Sequence, residues 1–178
     1  GVTGSFDKVH RIVVARIDIA EMYYEDVAAD LADLGHIENK RGVKILGLFG
    51  INMINDFEVI FDATNNELQL NRIDKQGNRL NNEISGLKFD FFQKLEKCNN
   101  ILLLKGTVGE KTLNFCLDTG AETNVISSSV SKKVLSTVKI NRRSNMGGAS
   151  SQSTEVLTGT MNEFESANHQ FGSMETII

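Results

Sequence analysis

Apolar residues along this chain recur with period two or in short continuous runs, and each run stops at Gly, Asn or Asp. The runs are "HRIVVARIDI" (10–19), "FEVIFD" (57–62), "ELQLNRI" (67–73), "NILLLKGTV" (100–108) and "KTLNFCL" (111–117). Short runs of this kind, bounded by turn formers, predict strands joined by hairpins. Two hairpins are specific. "FEVIFDATNNELQL" turns at "ATNN", where Asn65 and Asn66 suit positive-φ positions. "KGTVGEKTLNFCL" turns at Gly109–Glu110. Helical signals are short: "EDVAADLADLG" (25–35) predicts about two turns, and "GINMIND" (50–56) about one. "KFDFFQKLEKC" (88–98) fits a helix or a strand equally. The expected fold is mainly β.

Composition narrows the function classes without choosing one. The chain has 178 residues, a net charge of −4 and 40% hydrophobic residues, ordinary values for a globular protein. Its basic pairs, Lys132–Lys133 and Arg142–Arg143, are too short for a nucleic-acid footprint. No apolar run approaches the ~18 residues of a membrane span. Cys98 and Cys116 have neither metal-ligand spacing nor the number of a disulfide framework. The three histidines are scattered without ligand spacing, so a zinc site is not expected, and the reading reached below implies no metal or organic cofactor. Proline is absent, which leaves Gly and Asn to make the turns.

A weak internal repeat is visible when residues 1–34 are laid over residues 145–178. "VTGS" (2–5) then falls on "MGGA" (146–149), and "IVVA" (12–15) on "VLTG" (156–159). The chain reads as starting within one repeat and ending within the next.

The strongest chemical signal is "CLDTGAETNVIS" (116–127), where an apolar strand runs directly into Asp118. A carboxylate at the end of a buried strand is costly unless it is hydrogen-bonded, paired or protonated. The stretch "LDTGAETNVIS" resembles the active-site segment of retropepsin-like aspartic proteases. The resemblance implies a fold of closed β-barrel halves built of hairpins, with a few short helices. It makes Asp118 the catalytic acid, with Thr119 bracing the loop and Gly120 admitting the backbone. Ala121 then lines the cleft and Glu122 lies near the substrate backbone. Asn124 departs from the hydroxyl residue often found there.

"SNMGGASSQSTEV" (144–156) is similar to the family's flap, with Gly147 and Gly148 at the tip of a lid that closes over substrate. "VKILGLFGINMINDFEVIFD" (43–62) is similar to the apolar–apolar–Gly segment of the family's C-terminal half. It implies that Ile45, Leu46 and Gly47 form a buried strand threading beside a catalytic loop. In the family the Asp-Thr-Gly half comes first; here it comes second. Residues 1–75 are thus expected to be the C-terminal half of a first domain, 76–99 a linker, and 100–178 the N-terminal half of a second. Some bacterial proteins carry two such domains in tandem. The first domain's aspartate is then expected before Gly1, unless the two halves close as one permuted unit.

The chemistry of the family needs two acids. Two carboxyl groups about 3 Å apart share one proton, so one activates water while the other polarises the scissile carbonyl. Asp118 therefore implies a partner aspartate from a homodimer or a tandem repeat, and a peptide or protein substrate. The competing expectation is a peptide-binding or scaffolding module that keeps the fold without a working pair.

Overall fold

The computed structural model describes residues 10–34, 38, 42–81, 88–147 and 153–178. Thirteen strands dominate the described residues: β1 (His10–Ile19), β2 (Met22–Leu31), β3 (Phe57–Asp62), β4 (Glu67–Arg72), β5 (Glu96–Cys98), β6 (Ile101–Val108), β7 (Lys111–Cys116), β8 (Asn124–Val125), β9 (Val138–Gly147), β10 (Ser153–Met161), β11 (Phe164–Ser166), β12 (His169–Phe171) and β13 (Met174–Ile177). A short helix, α1 (Lys132–Leu135), and a 3₁₀ turn at Ile51–Met53 accompany them. The mainly-β expectation holds. The sheets are open ones, however, of two, four, five and two strands, and no closed barrel forms among the described residues.

The chain divides into two compact units, one of Gly1–Leu48 with Arg143–Val156, the other of Phe49–Arg142 with Leu157–Ile178. In the first, β1 and β2 form an antiparallel ribbon from His10↔Leu31 to Ile19↔Met22, turning at Ala20, whose φ is +51°. The helix expected over 25–35 is therefore not formed at its start, because those residues lie on β2. A two-turn helix is marginal alone, whereas β1 offers a full edge of backbone partners. Arg16 stacks 4.6 Å over the Tyr23 ring and forks onto Asp18 at 2.7 and 2.9 Å. Lys44–Gly50 belong to neither helix nor strand, and Leu46 and Leu48 are exposed. Among the described residues, the buried strand expected around "KILG" is not formed.

In the second unit, β3 and β4 pair from Phe57↔Arg72 to Asp62↔Glu67, as the turn residues predict. The turn is tied by Asp62, whose Oδ1 accepts the Thr64 and Asn65 N–H groups at 3.0 Å. Asn66 has positive φ, at +55°, while Asn65 instead donates its side-chain amide to Asp62 at 2.8 Å. Glu58 on β3 receives Arg79 in a bidentate pair at 2.6 and 3.0 Å, together with the Asn71 amide at 3.0 Å.

These bonds give the hairpin a pH dependence. Arg79 holds the Glu58 carboxyl below its ordinary range, and Asn65 and Asn78 do the same for Asp62 and Asp74. A carboxylate with a depressed folded-state pKa adds stability above its unfolded value and loses it as pH falls through the folded value. The melting temperature is expected to drop below about pH 4, and Glu58→Gln to flatten part of that drop. Thermal melts of both proteins across pH 2–7 check this; parallel curves would contradict it.

The core lies under the later strands. Val108, Ile126, Val134, Val138 and Met161 are buried, with Leu113, Phe115, Phe164, Met174 and Ile178 packed around them. Phe115 and Phe164 meet edge-to-face at 5.2 Å, a geometry favoured by the ring quadrupoles. Gly106 belongs here because a Cβ would lie 2.3 Å from the Phe164 ring. Residues 88–95 have no regular structure, yet Phe91 stacks on His169 at 4.9 Å and Gln93 donates to the Lys105 carbonyl at 2.8 Å. Cys98 and Cys116 are free and exposed.

Candidate active site

Asp118 is placed by the hairpin before it. β6 and β7 pair from Leu103↔Cys116 to Val108↔Lys111, around a turn in which Gly109 and Glu110 both have positive φ, +53° and +61°. Gly109 also needs to lack a side chain, since a Cβ would lie 2.7 Å from the Lys133 carbonyl oxygen. Beyond β7, the Leu117 N–H donates to the Leu102 carbonyl at 2.8 Å, and the chain then leaves the sheet.

The loop closes on itself at once. Asp118 Oδ1 accepts the Gly120 N–H at 2.9 Å, and the Asp118 carbonyl accepts the Ala121 N–H at 3.2 Å. A Cβ at Gly120 would stand 3.3 Å from that same Oδ1, so glycine lets the carboxylate sit against the backbone. The opening puzzle of the sequence is thus answered locally. Asp118 is exposed and hydrogen-bonded rather than buried and bare, which removes most of the desolvation cost.

The far side of the loop is pinned by β8. β8 pairs in parallel with β13, Asn124 with Thr176 and Val125 with Ile177, and the Ile126 N–H continues the ladder to the Ile177 carbonyl at 2.8 Å. The Asn124 side-chain amide donates to the Glu175 carbonyl at 3.1 Å. This residue, where the sequence departs from the family pattern, acts as a clip between loop and sheet. Its amide was the visible signal, but its partner lies too far along the chain to be read. Removing the clip with Asn124→Ala is expected to cost about 0.5–1.5 kcal/mol. Denaturant titration against the parent protein measures it, and an unchanged midpoint would refute it.

The structure brings Asp118, Thr119, Gly120, Ala121 and Glu122 together on one exposed loop. Leu117 and Val125, at the two ends of the loop, are also partly exposed and give the site apolar flanks. Among the described residues, no second carboxylate is hydrogen-bonded to Asp118. None of them forms a group of three or more His, Cys, Asp or Glu able to hold a metal ion. No helix of the described residues is long and apolar enough to cross a membrane.

The expected flap falls on β9 and β10, neighbours in the four-stranded sheet ordered β8-β13-β10-β9. Asn141 reaches Thr160 at 3.0 Å and Arg143 reaches Glu155 at 2.7 Å across the pair. Gly147 is the last residue of β9, and Gly148 lies outside the described residues.

A family model described as aspartyl protease matches residues 104–178, from the middle of β6 through the Asp118 loop to Ile178. No curated protein and no solved structure matches the chain. Over residues 104–178, then, the chain is similar to the aspartyl protease family.

Proposed function

We propose that this protein is an aspartic endopeptidase, with Asp118 as one member of a carboxyl pair that shares a single proton. The observation that carries this reading is the Asp118–Gly120 turn, which presents an exposed carboxylate on a loop fixed at both ends by sheet. In the assembled pair, the ionised carboxylate takes a proton from water while its protonated partner hydrogen-bonds the scissile carbonyl. The partner aspartate comes from a second copy or a neighbouring repeat, which fits residues 1–75 and 100–178 as halves of two consecutive domains. Thr119 and Gly120 shape the loop. Ala121, Glu122, Gly147 and Gly148 contact the extended peptide.

A second reading has one observation in its favour. Asp118 has no bonded carboxylate partner among the described residues, as in a peptide-binding module that keeps the fold without the chemistry. Incubation with an unfolded protein at mildly acidic pH, over a range of concentrations, separates the two. New peptide termini whose rate rises faster than protein concentration support a pair assembled between copies. Retention of intact peptide, without cleavage at any concentration, favours the binding module.

A further inference from the structure

We infer that two copies of this chain join edge to edge along β1, antiparallel about a two-fold axis at Val14, so that their ribbons make one four-stranded sheet. The inference stands apart from the endopeptidase reading, and β1 lies outside residues 104–178, which match the protease family.

β1 and β2 form a ribbon with no third strand among the described residues. Such a hairpin is marginal in water by itself, and a long strand edge with bare N–H and C=O groups is a template for another strand. The two edges differ. β2 is acidic, with Glu25, Asp26 and Asp30, and the ladder is interrupted at Asp26, whose φ is +51°. Charge and distortion of this kind blunt an edge. β1 instead carries the apolar run 12–15, in which Ile12 is 40% exposed and Val13 67%. β1 is therefore the edge open to a partner.

The turn decides which backbone groups face outward. Ala20 and Glu21 make a two-residue hairpin turn between Ile19 and Met22, and residues flanking such a turn exchange both backbone hydrogen bonds. Counted back in twos, the odd positions of β1 bond to β2, while His10, Ile12, Val14, Arg16 and Asp18 turn their N–H and C=O groups outward. Opposite residues in an antiparallel pair are of the same kind, so a two-fold contact centres on a residue rather than between two.

Charge selects that residue. Centred on Val13, His10 would face Arg16 of the other copy; centred on Arg16, two guanidinium groups would face each other. Like charges directly opposite are destabilising. Centring on Val14 sets His10 opposite Asp18, Arg11 opposite Ile17, Ile12 opposite Arg16 and Val13 opposite Ala15. Opposite charges then meet twice by symmetry, and two valines meet on the axis. Centring on Ala15 offers no such pair, because Asp18 then faces Ile12.

Asp18 is prepared for this contact. Arg16 forks onto it within the strand and holds its carboxyl below the ordinary range, so it is ionised at mildly acidic pH, where His10 is protonated. Its side chain is 61% exposed, and a carboxylate has lone pairs beyond those an arginine takes. Besides Asp18, His10 meets Arg16 of the other copy on the diagonal and Leu31 across its own ribbon. Arg11 beside it is held by Asp30 at 3.3 Å on the opposite face. The contact is isologous and closed, since it uses both β1 edges and leaves only the blunted β2 edges outside.

The test uses the full chain carrying Cys98→Ser and Cys116→Ser, at about pH 5.5. Analytical ultracentrifugation over a range of concentrations is expected to show a monomer–dimer equilibrium. With oxidised glutathione added, Val14→Cys is expected to give a disulfide-linked dimer and Ala15→Cys none. His10→Asp, which sets a carboxylate against Asp18 from an exposed position, is expected to raise the dissociation constant about 2- to 30-fold. His10→Lys is expected to leave it within about 2-fold. Monomer at every concentration, whether or not it binds an added extended peptide, overturns the inference. So do open-ended larger oligomers, a dimer trapped through Ala15→Cys and not Val14→Cys, and a dimer that His10→Asp leaves unmoved.

Discussion

Asp118→Asn is expected to remove peptide hydrolysis, lowering its rate by at least 10²–10⁴-fold, while leaving the melting temperature within about 1 °C of the parent. The asymmetry follows from what the side chain does in each role. As a structural group, Asp118 offers one oxygen to the Gly120 N–H, and an asparagine carbonyl oxygen accepts the same bond from the same place. In the proposed catalytic role, it must carry a negative charge and receive a proton, and an amide does neither. The Asp118→Ala protein is expected to differ, losing activity and also the Gly120 bond, worth about 1 kcal/mol at an exposed site. Because the proposed pair would hold one proton between two carboxyls, activity in the parent is expected to fall on both sides of an acidic optimum. Full activity in the Asp118→Asn protein, with wild-type contamination excluded by mass, would sink the proposed mechanism.

The largest effect on folding is expected at Gly159 in the middle of β10. A Cβ there would lie 2.5 Å from the Lys139 carbonyl oxygen and 2.9 Å from Val138 Cγ1. The first neighbour is backbone of the adjoining strand and cannot rotate away. Gly159→Ala must therefore push β9 and β10 apart over the buried Val138 and Met161, at a cost of about 1–3 kcal/mol or more. Gly106→Ala provides the control. Its Cβ meets the Phe164 ring at 2.3 Å, a side chain that can turn aside within the aromatic cluster, so its penalty is expected to be smaller. Chemical denaturation of both variants measures the order, and a more stable Gly159→Ala than Gly106→Ala would contradict the packing argument.

The parts of the fold that the sequence made legible are those whose cause is local. The β6–β7 turn was readable from Gly109, which takes its positive φ without strain, whereas nothing in Glu110 announces its own. The β3–β4 hairpin was readable from its Asn-rich loop, although Asn65 turned out to bond Asp62 rather than adopt positive φ. The Asp118 loop was visible as a motif because its main bond spans two residues. What escaped is non-local. β2 reads as helical in sequence because Val27, Ala28 and Leu31 have helical spacing. Only pairing with β1, through an Ala-Glu turn with no glycine or asparagine to announce it, decides the matter. The exposure of Leu46 and Leu48 escaped as well, since an apolar string reads as buried until its neighbours are known.

The parallel pairing of β8 with β13 carries a consequence for how the site comes into being. The Asp118 hairpin forms from residues close in sequence, which places it among the quick events of folding. Its far side waits, because Asn124 is clipped to Glu175, 51 residues later, and closing a loop of that span is entropically slow. On the ribosome, the carboxylate loop therefore stays untethered until β13 has been synthesised and docked. The Asp118 loop is thus fixed on both sides only once β13 has docked against β8.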